Sequence, residues 1–133
     1  MNAIKLTQFN QLSRQEAVAL LSTCCGSSRW ANQMELLRPF TDLKSLTERG
    51  SSMWNQLSEM DWKEAFAHHP KIGDFESLKK KFASTRGWAE QEQSGSQNAS
   101  VAVLQALALA NQTYENRFGY IFIVCATGKS AEE

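Results

Sequence analysis

Two neighbouring histidines, in Ala67-His68-His69-Pro70-Lys71-Ile72-Gly73-Asp74, are the only imidazoles in a chain of 133 residues. With an ordinary pKa of ~6.5, imidazole is suited to moving protons near neutrality. Adjacent helical residues point about 100° apart, so the pair cannot grip one metal from one face. A zinc site needs more His, Cys or carboxylate ligands at suitable spacing, and the sequence shows none. Two readings of His69 stand side by side. Either it packs at a helix end beside a solvated His68, or it aims into a cleft as a general acid or base.

The second candidate is the stretch Trp88-Ala89-Glu90-Gln91-Glu92-Gln93-Ser94-Gly95. Two glutamates among Gln and Ser make an ordinary solvated surface. A carboxylate facing a histidine would instead orient the imidazole or accept a substrate proton. The three cysteines, Cys24, Cys25 and Cys125, read as core or near-core thiols. Vicinal cysteines make a poor disulfide pair, which points to a reducing, cytosolic home. A cysteine-dependent enzyme would require a thiolate beside His69.

Helices must position these residues. Ser13 and Glu16 fit a capping box, followed by Ala17, Leu20, Leu21 and Cys24 on one face, with a stop at Gly26. Trp30, Met34 and Leu37 recur at helical spacing and end before Pro39. Leu43 and Leu46 predict a short piece closed by Arg49-Gly50-Ser51-Ser52, with Met53, Trp54 and Leu57 on a further turn or two. Asp61, with Glu64 three residues on, is expected to cap a helix carrying Trp62, Phe66 and His69, which Pro70 ends. Asp74 would cap the next, with Leu78 and Phe82 inside and Lys79 to Lys81 solvated. Residues 84–98 read as a loop. Ala99 to Phe118 is the longest periodic segment, with Leu104, Leu107, Ala108, Asn111, Tyr114 and Phe118 on one face and Gly119 as its stop.

Tyr120 to Ala126 breaks the pattern, being aromatic and β-branched. Local propensity says buried strand, but no second strand is at hand to pair with it. The expectation is an extended segment packed inside a helical domain, its backbone N–H and C=O groups free to meet something else. Ser130 resembles the cap of a final helix. The fold class expected is therefore all-α, a single helical domain with one extended apolar segment after the long helix.

Fourteen Lys plus Arg balance fourteen Asp plus Glu. This neutrality argues against nucleic acid, which needs a basic footprint, and against an electrostatic membrane anchor. The longest apolar run has seven residues, Tyr120 to Ala126, far from the ~20 needed to span a bilayer.

In order along the chain, these residues resemble one family. The matching stretches are Phe9-Asn10, Ala17 with Leu21, Cys24 to Ser27, Trp30, Met34, and Arg38-Pro39-Phe40. They continue through Trp54, Asp61-Trp62, Ala67 to Asp74, Glu92 to Gly95, Asn111, Tyr114 and Arg117-Phe118-Gly119. The ordered set resembles the 2-oxo-4-hydroxy-4-carboxy-5-ureidoimidazoline (OHCU) decarboxylases of urate breakdown. The resemblance implies an all-helical homodimeric carboxy-lyase, cytoplasmic and without metal or organic cofactor, that delivers (S)-allantoin. It implies that His69 is catalytic, with Glu92 as its partner at the site. By the same resemblance Pro70, Ala89, Glu90, Gln91 and Gln93 contact substrate, as do Phe122, Ile123, Val124, Cys125 and Ala126 through their backbone. Some members carry serine where this chain has Ala89. The resemblance also implies further helices and a substrate-binding arginine beyond Glu133. Residues 1–133 are accordingly expected to form one OHCU decarboxylase-like domain lacking those helices, and to bind weakly and turn over poorly when assayed alone. The rival reading is a non-catalytic helical interaction module, for which His69 and Glu92 would be nothing special.

Overall fold

The computed structural model describes residues 4–74 and 99–133. The chain divides into two compact units, residues 1–65 and 66–133. Among the described residues there are helices and no strand, in keeping with the all-α expectation.

The first unit holds α1 (Leu6–Gln11), α2 (Arg14–Cys24), α3 (Ser28–Leu36), α4 (Leu43–Asn55) and the start of α5 (Glu59–His68). Ser13 and Glu16 form the expected capping box: the Ser13 hydroxyl accepts from the Glu16 N–H at 3.3 Å, and Glu16 accepts from the Ser13 N–H at 2.9 Å. Ala17 and Leu21 of α2 are buried with Ala31 and Met34 of α3, Phe9 of α1 and Phe40. Trp30, Leu37, Leu46 and Met53 pack around that cluster. Cys24, expected on the inner face, is exposed, and α2 ends there because Cys25 turns extended.

Two boundaries differ from the sequence reading. The Arg49-Gly50-Ser51-Ser52 stretch is no break; α4 runs straight through it. Gly50 serves close approach instead. Its carbonyl accepts from Trp30 Nε1 at 3.0 Å, and a Cβ built there would lie 3.4 Å from Trp30 Cζ2 and 3.6 Å from Met34 Cε. There is room for a methyl group and no more. Gly50→Ala is therefore expected to hold or raise the melting temperature, because alanine gains up to ~1 kcal/mol of helix propensity. Gly50→Leu should lower it, since overpacking such a contact typically costs ~1–3 kcal/mol. Equal melting of both variants would show that the contact is not tight.

The second difference is at α5. Asp61 does not cap it; Ser58 does, three residues before the point expected. The Ser58 hydroxyl accepts from the Asp61 N–H at 3.3 Å, and Asp61 Oδ2 accepts from the Ser58 N–H at 2.9 Å. These bonds from Ser58 hold the Asp61 carboxyl below the usual range, and Arg29 adds to them. The sequence carried both halves of this box, one register out. Glu64, expected three residues after the cap, instead accepts from the Ser28 N–H at 3.1 Å and from its hydroxyl, joining α5 to the first turn of α3.

The second unit contains the end of α5, α6 (Val101–Phe118) and a tail. Ser100 caps α6, and Gly119 closes it at φ 79°, donating its N–H to the Glu115 carbonyl. Only glycine adopts that left-handed backbone cheaply. Residues 121–126 form neither helix nor strand, and they are not packed inside as expected. Ile121 alone is buried, at 8% exposure, while Phe122, Ile123 and Val124 are 38%, 36% and 40% exposed. No strand flanks them among the described residues, so propensity had nothing to pair with. Ser130 and Glu133 exchange a hydrogen-bonded box of the kind that opens helices. The helix expected after Asp74, with Leu78, Lys79 to Lys81 and Phe82, lies outside the described residues.

Candidate active site

α5 stops at His68 because proline two residues on has no N–H to donate and biases its predecessor out of the helix. The His69 N–H closes the last turn on the Phe66 carbonyl at 3.1 Å. Its imidazole is exposed, and Nδ1 lies 2.8 Å from the carbonyl oxygen of Pro70. A carbonyl can only accept, so Nδ1 carries the hydrogen in this contact. Nε2 is then the accepting nitrogen of the neutral ring and faces away from that bond. His68, exposed and still helical, does not share this arrangement.

The three residues after Pro70 are tied to α6. Asn111, only 9% exposed, donates Nδ2 to the Ile72 carbonyl at 2.9 Å. Lys71 Nζ meets Glu115 Oε2 at 2.5 Å. Gly73 sits at φ 83°, where a Cβ would come within 3.0 Å of Leu107 Cδ2. Any L-residue there would be strained in its backbone and crowded against α6.

Aromatic rings then fix the start of the tail. Tyr114 packs on Phe118 at 4.5 Å and edge-on against Phe122 at 5.3 Å, while Tyr120 packs on Phe66 at 5.8 Å. Such tilted and edge-on pairs are the preferred ring geometries. Beside them runs a groove of about 670 Å³ walled by Ile72, Val103, Leu107, Phe122, Val124 and Ala126, among others. The structure thus brings three of the five tail residues singled out in the sequence, Phe122, Val124 and Ala126, to one groove with Ile72. Ile123 and Cys125 are exposed and do not wall it. His69 and Pro70 stand three and two residues before Ile72 along the chain and are not in its walls. Ala89, Glu90, Gln91, Glu92 and Gln93 lie outside the described residues.

Among the described residues no three His, Cys, Asp or Glu side chains group closely enough to hold a metal ion. No helix there is long and apolar enough to cross a membrane. Burial pushes the Cys25 thiol up, the opposite of an activated nucleophile.

Comparison with known proteins decides the family. The family model described as OHCU decarboxylase matches residues 10–133. The chain belongs to the OHCU decarboxylase family. It is 36% identical over 110 residues to the uric acid degradation bifunctional protein TTL of Arabidopsis thaliana, covering 83% of this chain and 34% of that protein. It is 26% identical over 137 residues to the uric acid degradation bifunctional protein of Bacillus sp. (strain TB-90), covering 98% of this chain and 25% of that protein. This family member therefore spans about a third of the plant protein's length and a quarter of the bacterial one's. Among solved structures it resembles an OHCU decarboxylase crystallised in the presence of (S)-allantoin. The TM-score is 0.64 at 35% identity, over 85% of this chain and 70% of that one.

Sequence reasoning singled out the histidine and the tail. It placed Asn111 on a packing face and passed over Glu115 and Lys71. A signal was there: Leu107, Asn111 and Glu115 recur at i, i+4 and i+8, so one stripe of α6 turns from apolar to polar as it climbs.

Proposed function

We propose that this chain decarboxylates OHCU to (S)-allantoin in urate breakdown, with residues 1–133 acting as one cofactor-independent carboxy-lyase domain. The observation that carries the reading is a family match over nearly the whole chain, joined to a histidine whose Nε2 is presented at an exposed helix end. Loss of CO₂ leaves an electron pair that must go somewhere. In OHCU the adjacent ring C=N takes it, the hydroxyl becomes the ring carbonyl, and a proton added to one face of the neighbouring carbon sets the stereocentre. The protein's part is to orient the carboxylate, stabilise the developing charge and move protons. His69, with Nδ1–H engaged by Pro70, offers Nε2 for that transfer.

Glu92 is proposed as its partner, holding the substrate hydroxyl or ureido group, with Gln93 donating to and accepting from the ring amide. Ala89, Glu90, Gln91 and Pro70 complete the contacts. The backbone of Phe122, Ile123, Val124, Cys125 and Ala126 faces the ring substituents. A cytoplasmic homodimer is the assembly proposed. The test supplies freshly generated OHCU and follows optical activity by circular dichroism. An (S)-allantoin signal above the spontaneous racemic background supports the reading, and a racemic trace at every enzyme concentration removes it.

Within that scheme, Glu92→Ala should lower kcat/KM by about 30- to 1000-fold, the ~2–4 kcal/mol of one group aimed at the transition state. Glu90→Ala, two residues away, should cost far less. Equal losses in steady-state kinetics would mean that this stretch matters only for its charge.

A further inference from the structure

Resting on the catalytic reading of His69, we infer that Asn111 is a positioning residue: through the Ile72 carbonyl it sets the Pro70 carbonyl that selects the tautomer of His69. The chain of contacts is short and lies within one unit of the fold. Asn111 Nδ2 holds the Ile72 carbonyl at 2.9 Å, and the Pro70 carbonyl holds His69 Nδ1 at 2.8 Å. A single peptide group, Lys71–Ile72, separates the two that carry those carbonyls. Lys71 is itself fixed by Glu115, one turn beyond Asn111 on the same stripe of α6. Gly73, just past them, lies against Leu107, one turn before Asn111. Three successive residues are thus clamped at three successive turns of one helix, which leaves the Pro70–Lys71 peptide plane little freedom.

That plane matters because imidazole has two interchangeable tautomers. The one able to accept at Nε2 persists only while something takes the hydrogen on Nδ1. An exposed ring has no packing to do this for it. A buried amide is a costly side chain to keep in a helix unless its hydrogen bonds are made, and the Ile72 carbonyl is where its N–H goes. The groove beside α6 does not compete for this explanation, since Asn111 is not among its walls.

The test reads the ring directly. Two-bond ¹H–¹⁵N spectra of histidine-labelled protein distinguish the tautomers, and His68→Gln assigns the two rings. Wild type is expected to show His69 with hydrogen on Nδ1. Asn111→Ala should shift it toward hydrogen on Nε2, leave the His68 signals unmoved, and lower kcat by ~10- to 100-fold with KM little changed. If Asn111→Ala does not fold, Glu115→Gln, at a half-exposed position, should give the same shift to a smaller extent. A folded variant of either kind with the wild-type tautomer overturns the inference, whatever its activity. A wild-type chain that makes no allantoin while its His69 tautomer still follows Asn111 would remove the function and leave the positioning standing.

Discussion

His69→Gln is expected to lose about 10²- to 10⁴-fold in stereospecific allantoin formation, the span contributed by a general acid–base group. Glutamine is the informative replacement because its amide matches the reach of Nε2 and keeps a polar group there while removing the titrating ring. The ring is exposed, so melting should move by no more than ~0.5 kcal/mol in stability terms. His68→Gln should be mild in both respects, since that ring leaves the helix about 100° away. Circular dichroism reads product and fold in one instrument: the allantoin signal should vanish while the helical bands stay. Near-normal turnover by a verified His69→Gln protein would remove histidine from the chemistry.

What was legible in the sequence was what local patterns encode. The Ser13 and Glu16 box, the Trp30 and Met34 face, the Pro70 stop and the Gly119 cap all hold, because each is decided within one or two turns of chain. The misreadings share a cause too. Gly50 beside two serines has the local pattern of punctuation, and only Trp30, twenty residues away, reveals it as a contact surface. Ser58 and Asp61 carry a capping box that local spacing contains, yet Asp61 and Glu64 offered a competing one. Residues 120–126 have the composition of a buried strand, but burial is granted by neighbours, and only Ile121 finds them. At the site, residue types pointed to His69. The Pro70 carbonyl that meets its Nδ1 is a chain neighbour whose direction residue type does not encode, and the α6 stripe that holds the following residues is a tertiary fact without a local signature.

Arg38 carries the other large effect, on stability instead of rate. Its guanidinium donates Nη1 to the carbonyls of Phe9 at 2.9 Å and Leu12 at 2.8 Å, and Nη2 to Glu35 Oε1 at 2.8 Å. It also lies over the Phe9 ring, 5.6 Å from its centroid. Those carbonyls belong to the C-terminal end of α1, a helix of six residues that cannot satisfy its own last turn. Arg38 and Glu35 are only 10% and 11% exposed, so removing one strands the other's charge. Arg38→Met is therefore expected to lose ~3–5 kcal/mol, a large share of the ~5–15 kcal/mol that holds a domain together. Arg38→Lys keeps a charge for Glu35 but reaches fewer partners at once, and should fall between. Arg14, 3.6 Å from Glu35, is too exposed to replace the lost pair. Pairing Arg38→Met with Glu35→Met should recover part of the loss, because no unpaired charge is then left behind. Urea unfolding of the four proteins closes the cycle. A single-variant loss under ~1 kcal/mol would mean that water, and not Arg38, satisfies the end of α1.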